Sequence, residues 1–204
     1  MPPREPRVTP VRLDDLKPTQ MTVGYREVEE KRNNWRLKSD QSAQTFLGDH
    51  MVPVLKGPKD KLYVIDHHHL TRALIDDGVT DVLTTIVADL SHLTKEEFWT
   101  FADNRAWCHP YNSDGVRCDF SDIPGKIADL KDDPFRSLSG ALRRSGGYAK
   151  DTTPFAEFTW ADFLRRRIKT KLVETDFDAA LAKALKLAQS DMARHLPGWC
   201  GPCS

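Results

Sequence analysis

No stretch of the chain approaches the roughly 18 consecutive apolar residues of a membrane-spanning helix. The opening Met1-Pro2-Pro3-Arg4-Glu5-Pro6-Arg7 lacks the apolar core of a signal peptide. No membrane partner and a cytoplasmic location are therefore expected. Net charge is missing too: 30 Lys+Arg stand against 30 Asp+Glu. That removes the case for a general nucleic-acid footprint and leaves only local basic patches open. Cysteine is scarce, at positions 108, 118, 200 and 203. The pair Cys200-Gly201-Pro202-Cys203 follows a helix and the Pro197-Gly198 break, whereas a thioredoxin-like pair opens a helix after a strand. There is no H-E-x-x-H, no internal repeat and no low-complexity tract. What is present suits one domain, or a domain with a small appendage: 204 residues, 39% of them hydrophobic, enough to bury a core.

The pattern is punctuated by Gly and Pro. Residues 1–10 read as a loose arm, and Val11–Leu16 as a short strand closed by Lys17-Pro18. Thr19 is a candidate cap for the segment after it. Val28–Lys38 reads as a polar helix and Ala43–Leu47 as a short helix or turn. Met51–Leu55 reads as a strand whose Pro53 argues for an edge or an element start. Leu62–Ile65 is the clearest strand, and His67–Asp76 a helix ended by Gly78. Val82–Asp89 is a further strand. Thr94 and Glu97 form a capping box for a helix reaching Arg105. Cys108–Pro124 reads as irregular loop, and the rest as mainly helical, with Asp176–Arg194 the longest helix.

Chemistry concentrates in Val64-Ile65-Asp66-His67-His68-His69-Leu70-Thr71-Arg72. Successive helical positions point about 100° apart, so three adjacent histidines cannot share one buried face. At a helix start their amides lack intrahelical partners and suit an anion, above all phosphate. Arg72 falls on the same face as His68 and His69. Asp66, at the carboxyl end of the strand, is placed to cap the helix, fix a histidine tautomer or hold a metal. A plain N-cap beside surface histidines, or a zinc site pairing His67 or His68 with His92 or His109, are the competing readings.

This stretch resembles the phosphate-binding box of the ParB/sulfiredoxin superfamily. Val11–Gln20 resembles the family's opening strand and L-x-P box, and Met51–Leu55 the strand before the phosphate box. The likeness is nearest to the uncharacterised ParB-like, nuclease-related branch, through Pro18-Thr19-Gln20, Val23-Gly24, Glu27-Val28 and Lys31. It implies an α/β (α+β) core with a small mixed sheet at residues 8–110, and a helical extension packed on it at 121–197. It also implies nucleotide phosphates (ATP/ADP or CTP, with Mg²⁺ at Asp66) held by His67, His68, His69 and Arg72. The catalytic glutamate of kinase-like relatives falls near Gln20, which cannot accept a proton, so Glu27, Glu29 or Glu30 must stand in; Glu30 is the candidate taken. No cysteine stands in the box, which argues against sulfinic-acid reduction.

Lys31 is a further phosphate partner if Gly24 lets the backbone approach a ligand, and the Asn104-Arg105 pair another. Two functions from different classes remain open. An enzyme of phosphoryl transfer or phosphodiester hydrolysis would use His67 or His68 for protons and Asp66 for Mg²⁺. A binding module switched by nucleotide, or contacting nucleic acid, would instead show a positive face joining Arg143, Arg144 and Arg165–Arg167.

Overall fold

The computed structural model describes residues 8–37, 47–48 and 50–201. It divides into two compact units, both discontinuous in sequence. The first takes the residues up to Thr22, Val28–Asn112 and Val116–Lys131; the second takes Val23–Glu27, Ser113–Gly115 and everything from Asp132 on.

The first unit is built on five strands: β1 (Val8–Arg12), β2 (Leu16–Pro18), β4 (Val52–Lys56), β5 (Leu62–Val64) and β6 (Asp81–Asp89). Their order is β1-β6-β4-β5-β2. β1/β6 and β4/β5 run antiparallel, β4/β6 and β2/β5 parallel. The sheet is therefore mixed, as expected. Two short ladder strands, β3 (Thr22–Val23) and β7 (Lys131–Asp132), pair with each other.

Two sequence expectations need correction. Val8–Pro10 is strand rather than loose arm, because it pairs with Leu83–Thr85 of β6. Of the two readings of Pro53, edge or element start, the second holds: it is the second residue of the central strand β4, β5 begins its pairing one residue later, at Val54, and Ile65 N–H reaches the Pro53 carbonyl (3.1 Å). Thr19 caps no helix; its hydroxyl donates to the Val64 carbonyl (2.7 Å). The short element expected over Ala43–Leu47 lies outside the described residues except at Leu47.

Helix α1 (Tyr25–Arg36) buries Val28. Helix α2 (His68–Asp76) follows β5 and buries Leu70, Ala73 and Leu74. Its amide ladder is closed by Gly78 at φ 75°. Helix α3 (Lys95–Asn104) has the expected capping box: Glu97 N–H donates to Thr94 Oγ1 (3.3 Å) and Thr94 N–H to Glu97 Oε2 (2.8 Å). It lays Phe98, Trp99 and Ala102 against Leu55 and Tyr63 of the sheet.

The second unit is helical: α4 (Pro134–Arg144), α5 (Ala156–Arg165), α6 (Thr170–Thr175) and α7 (Phe177–Ala188). Phe135, Leu138, Leu142, Trp160, Leu164, Ala180 and Ala184 fill its core. Trp160 is fully buried, stacked on Tyr148 (4.4 Å) and donating its indole N–H to the Pro197 carbonyl (2.8 Å). The long helix expected over Asp176–Arg194 ends at Ala188. The Ser190 hydroxyl takes up the Leu187 carbonyl (2.7 Å) and Ser190 turns extended before a 3₁₀ turn at Asp191–Ala193.

Candidate phosphate site at the start of helix α2

Asp66 is exposed, and its Oδ1 accepts the His67 N–H (2.6 Å). The N-cap position belongs to His67, not Asp66, and no side chain caps the helix. His67 is left-handed (φ 67°, ψ 23°), a conformation that costs a non-glycine residue about 1 kcal/mol. The first intrahelical bond is Thr71 N–H to the His67 carbonyl (2.9 Å). The amides of residues 68–70 therefore stand outside the helical ladder, at the positive end of the helix dipole.

The three histidines part company. His68 is buried, and its Nε2 accepts the Thr19 N–H (3.3 Å), which places its proton on Nδ1. Its ring ties α2 to the end of β2. His69 is half-buried. His67 is half-buried, with an Nδ1 that is buried and has no hydrogen-bond partner among the described residues. Burial holds its imidazole below the usual range against the pull of Asp66, and His50 and Lys31 push the same way as burial.

Arg72 is engaged within the fold. Its Nε meets both Asp76 oxygens (3.0 and 3.1 Å) and its Nη1 donates to the Leu130 carbonyl (3.0 Å). Lys31 and Glu30 are exposed on α1. Glu27 is held by both terminal nitrogens of Arg144 (2.6 Å each), and Glu29 by Arg32 (2.8 Å). Gln20 is buried, its amide donating to the Thr22 carbonyl (2.8 Å). Asn104 is exposed at the end of α3 beside Glu97 and Phe101, and Arg105 lies over the Trp107 ring (5.1 Å). Asp66 and His67 thus meet at the start of α2, with Lys31 in electrostatic reach of His67, while Asn104 and Arg105 have their recorded contacts elsewhere.

The close approach at Gly24 is to the protein's own chain: a Cβ there would lie 2.5 Å from Ser137 Oγ. The arginines expected to form a positive face are mostly neutralised where they stand. Arg143 pairs with Glu157, Arg144 with Glu27, Arg165 with Asp133 and Arg166 with Asp162. Among the described residues no group of three or more His, Cys, Asp or Glu side chains is placed to hold a metal ion.

Two participants were not found from sequence. Thr19 is a junction: besides its bond to His68, its carbonyl accepts the His109 N–H (2.8 Å). His50 reaches His67 electrostatically from a distant point in the chain. Thr19 stands in the Pro18-Thr19-Gln20 pattern, but its pairing with His68 has no local signal, and His50 carries no pattern at all.

A five-stranded mixed sheet followed by a mainly helical C-terminal region defines the class as mixed α/β. The chain belongs to the ParB-like family described as "Putative ParB-like nuclease", whose family model matches residues 9–166. It is similar to the crystal structure of protein Atu1540 from Agrobacterium tumefaciens, with 57% identity, 97% of this chain and 98% of that chain covered, and a TM-score of 0.92. No curated protein matches. Among the described residues no helix is long and apolar enough to cross a membrane.

Proposed function

We propose that this protein binds the phosphate of a nucleotide or phosphorylated small molecule at the start of α2 and acts on it by phosphodiester hydrolysis or phosphoryl transfer. The observation that carries this reading is His67: a strained, left-handed N-cap with a buried, unpartnered Nδ1 at the positive end of α2, within electrostatic reach of Lys31. The amides and Lys31 would hold the anion, and His67 would move the proton. Any Mg²⁺ would take Asp66 as its protein ligand and complete its shell with phosphate and water, as this ion commonly does. His68 and Arg72 would position the helix rather than touch the ligand, since both already hold protein partners.

The test is calorimetric titration with ATP, ADP and CTP, with and without Mg²⁺, on the wild type, His67→Ala and Lys31→Ala. Each substitution is expected to weaken binding by about tenfold (roughly 1.4 kcal/mol). Sulfate, a dianion across the range, should bind more tightly as pH falls toward 6. Its charge raises the depressed pKa of His67, so binding draws a proton onto the ring. Absence of binding by all three nucleotides overturns the reading. Gln20 favours a second version, a nucleotide-binding module without turnover, because a buried carboxamide cannot act as a base. Binding with no cleavage of a phosphodiester substrate and no phosphoryl transfer from ATP would select it.

A further inference from the structure

Beside α3 the first unit holds a cavity of about 380 Å³ whose lining shares no residue with the start of α2. Four lysines border it, Lys17, Lys59, Lys61 and Lys95, and no carboxylate does. None of the four forms an ion pair among the described residues; the adjacent Asp60 turns to Lys56 instead (2.7 Å). Concentrating like charges around a concavity without counter-charge is unfavourable unless an anion enters.

The rest of the wall is aromatic. Trp99 stacks with Phe120 (5.8 Å, 11°) and meets Tyr63 edge-on (5.4 Å). Trp99 is 6% exposed and lends the wall part of its ring, while its indole N–H lies buried without a partner. The turn that carries Lys59 is strained: Lys59 and Asp60 are both left-handed (φ 59° and 56°), at about 1 kcal/mol or more each. Strain of this kind is retained where it sets a side chain for use.

We propose that this cavity is a binding site for a nucleoside phosphate, with the base against the Tyr63–Trp99–Phe120 wall and the phosphate among the lysines. Its size suits one nucleotide unit, and basic groups interleaved with rings are the means by which proteins hold such ligands. The same chemistry is offered by a free mononucleotide and by one unit of a single strand. The site stands independently of the α2 reading.

The experiment uses the full chain carrying His67→Ala, so that the start of α2 contributes little. AMP, UMP and a ten-nucleotide oligothymidylate are titrated separately. Binding is expected, weakened at least about tenfold by adding Lys61→Glu with Lys95→Glu. Both lysines are exposed, and a melting curve checks that the variant folds. Phe120→Ala, which removes a ring of the wall, should weaken binding several-fold. Equal binding of mononucleotide and oligonucleotide assigns the site to free nucleotides; binding of the oligonucleotide alone assigns it to a strand. No binding in the His67→Ala background, or binding indifferent to the lysine reversals, overturns the proposal.

Discussion

Asp77, the C-cap of α2, accepts hydrogen bonds from two arginines of α1, Arg32 (3.0 Å) and Arg36 (2.6 Å). Burial pushes its carboxyl up, but the hydrogen bonds from Arg36 and Arg32 outweigh it and hold the group below the usual carboxylate range. A depressed acid stabilises the fold above its unfolded pKa, near 4, and loses that contribution as pH falls through the folded value. Asp77→Asn is therefore expected to lower the melting temperature by a few degrees at pH 7. The gap between variant and wild type should begin to narrow below about pH 4 and close once pH has fallen past the lower folded value. Thermal melts across pH check this, and a gap that persists in acid would contradict it. At this scale the sequence was partly legible. The His-rich start of α2 announced itself through residue type, but which ring turns inward was not readable. That choice is made by the Thr19 amide, 49 positions away from His68 in the chain.

The elements whose limits were legible carry their own boundary signals: Gly78 after α2 and the Thr94–Glu97 box before α3. Where partners decide, reading failed. β1 begins at Val8 because β6 lies beside it. Gly24 belongs to the same lesson. Its lack of a side chain serves helix α4, where a Cβ would sit 2.6 Å from the Ser137 backbone nitrogen. Gly24→Ala should cost about 1–3 kcal/mol through forced displacement of that backbone. Denaturant unfolding measures it, and a change under about 0.5 kcal/mol would show that α4 yields more readily than its packing implies.

Over the whole chain, positive and negative residues cancel, with a sequence pI near 7.0. Much of that cancellation is local, as the paired arginines of the second unit show. The lysines around the cavity by Trp99 are the exception, a small positive field on a neutral molecule. Solubility should pass through its minimum near pH 7 and rise on either side, and an added polyanion should lift that minimum. Precipitation curves with and without heparin would settle the point. A minimum that heparin leaves untouched would mean the lysine field is too weak to change colloidal behaviour.

The interleaving of the two units has a consequence at the level of the gene. Tyr25 and Glu27 precede most of the first unit, yet the Tyr25 N–H donates to Asp132 (2.7 Å) and Glu27 grips Arg144, both in the second. No single cut in the coding sequence releases either unit intact. A recombination joint placed before residue 132 would hand on the helices without the carboxylate that Arg144 holds, and would leave Tyr25 facing a foreign segment. The two units are thus a linked inheritance, and lineages that exchange one for another must rewrite the opening turn of α1 in the same event.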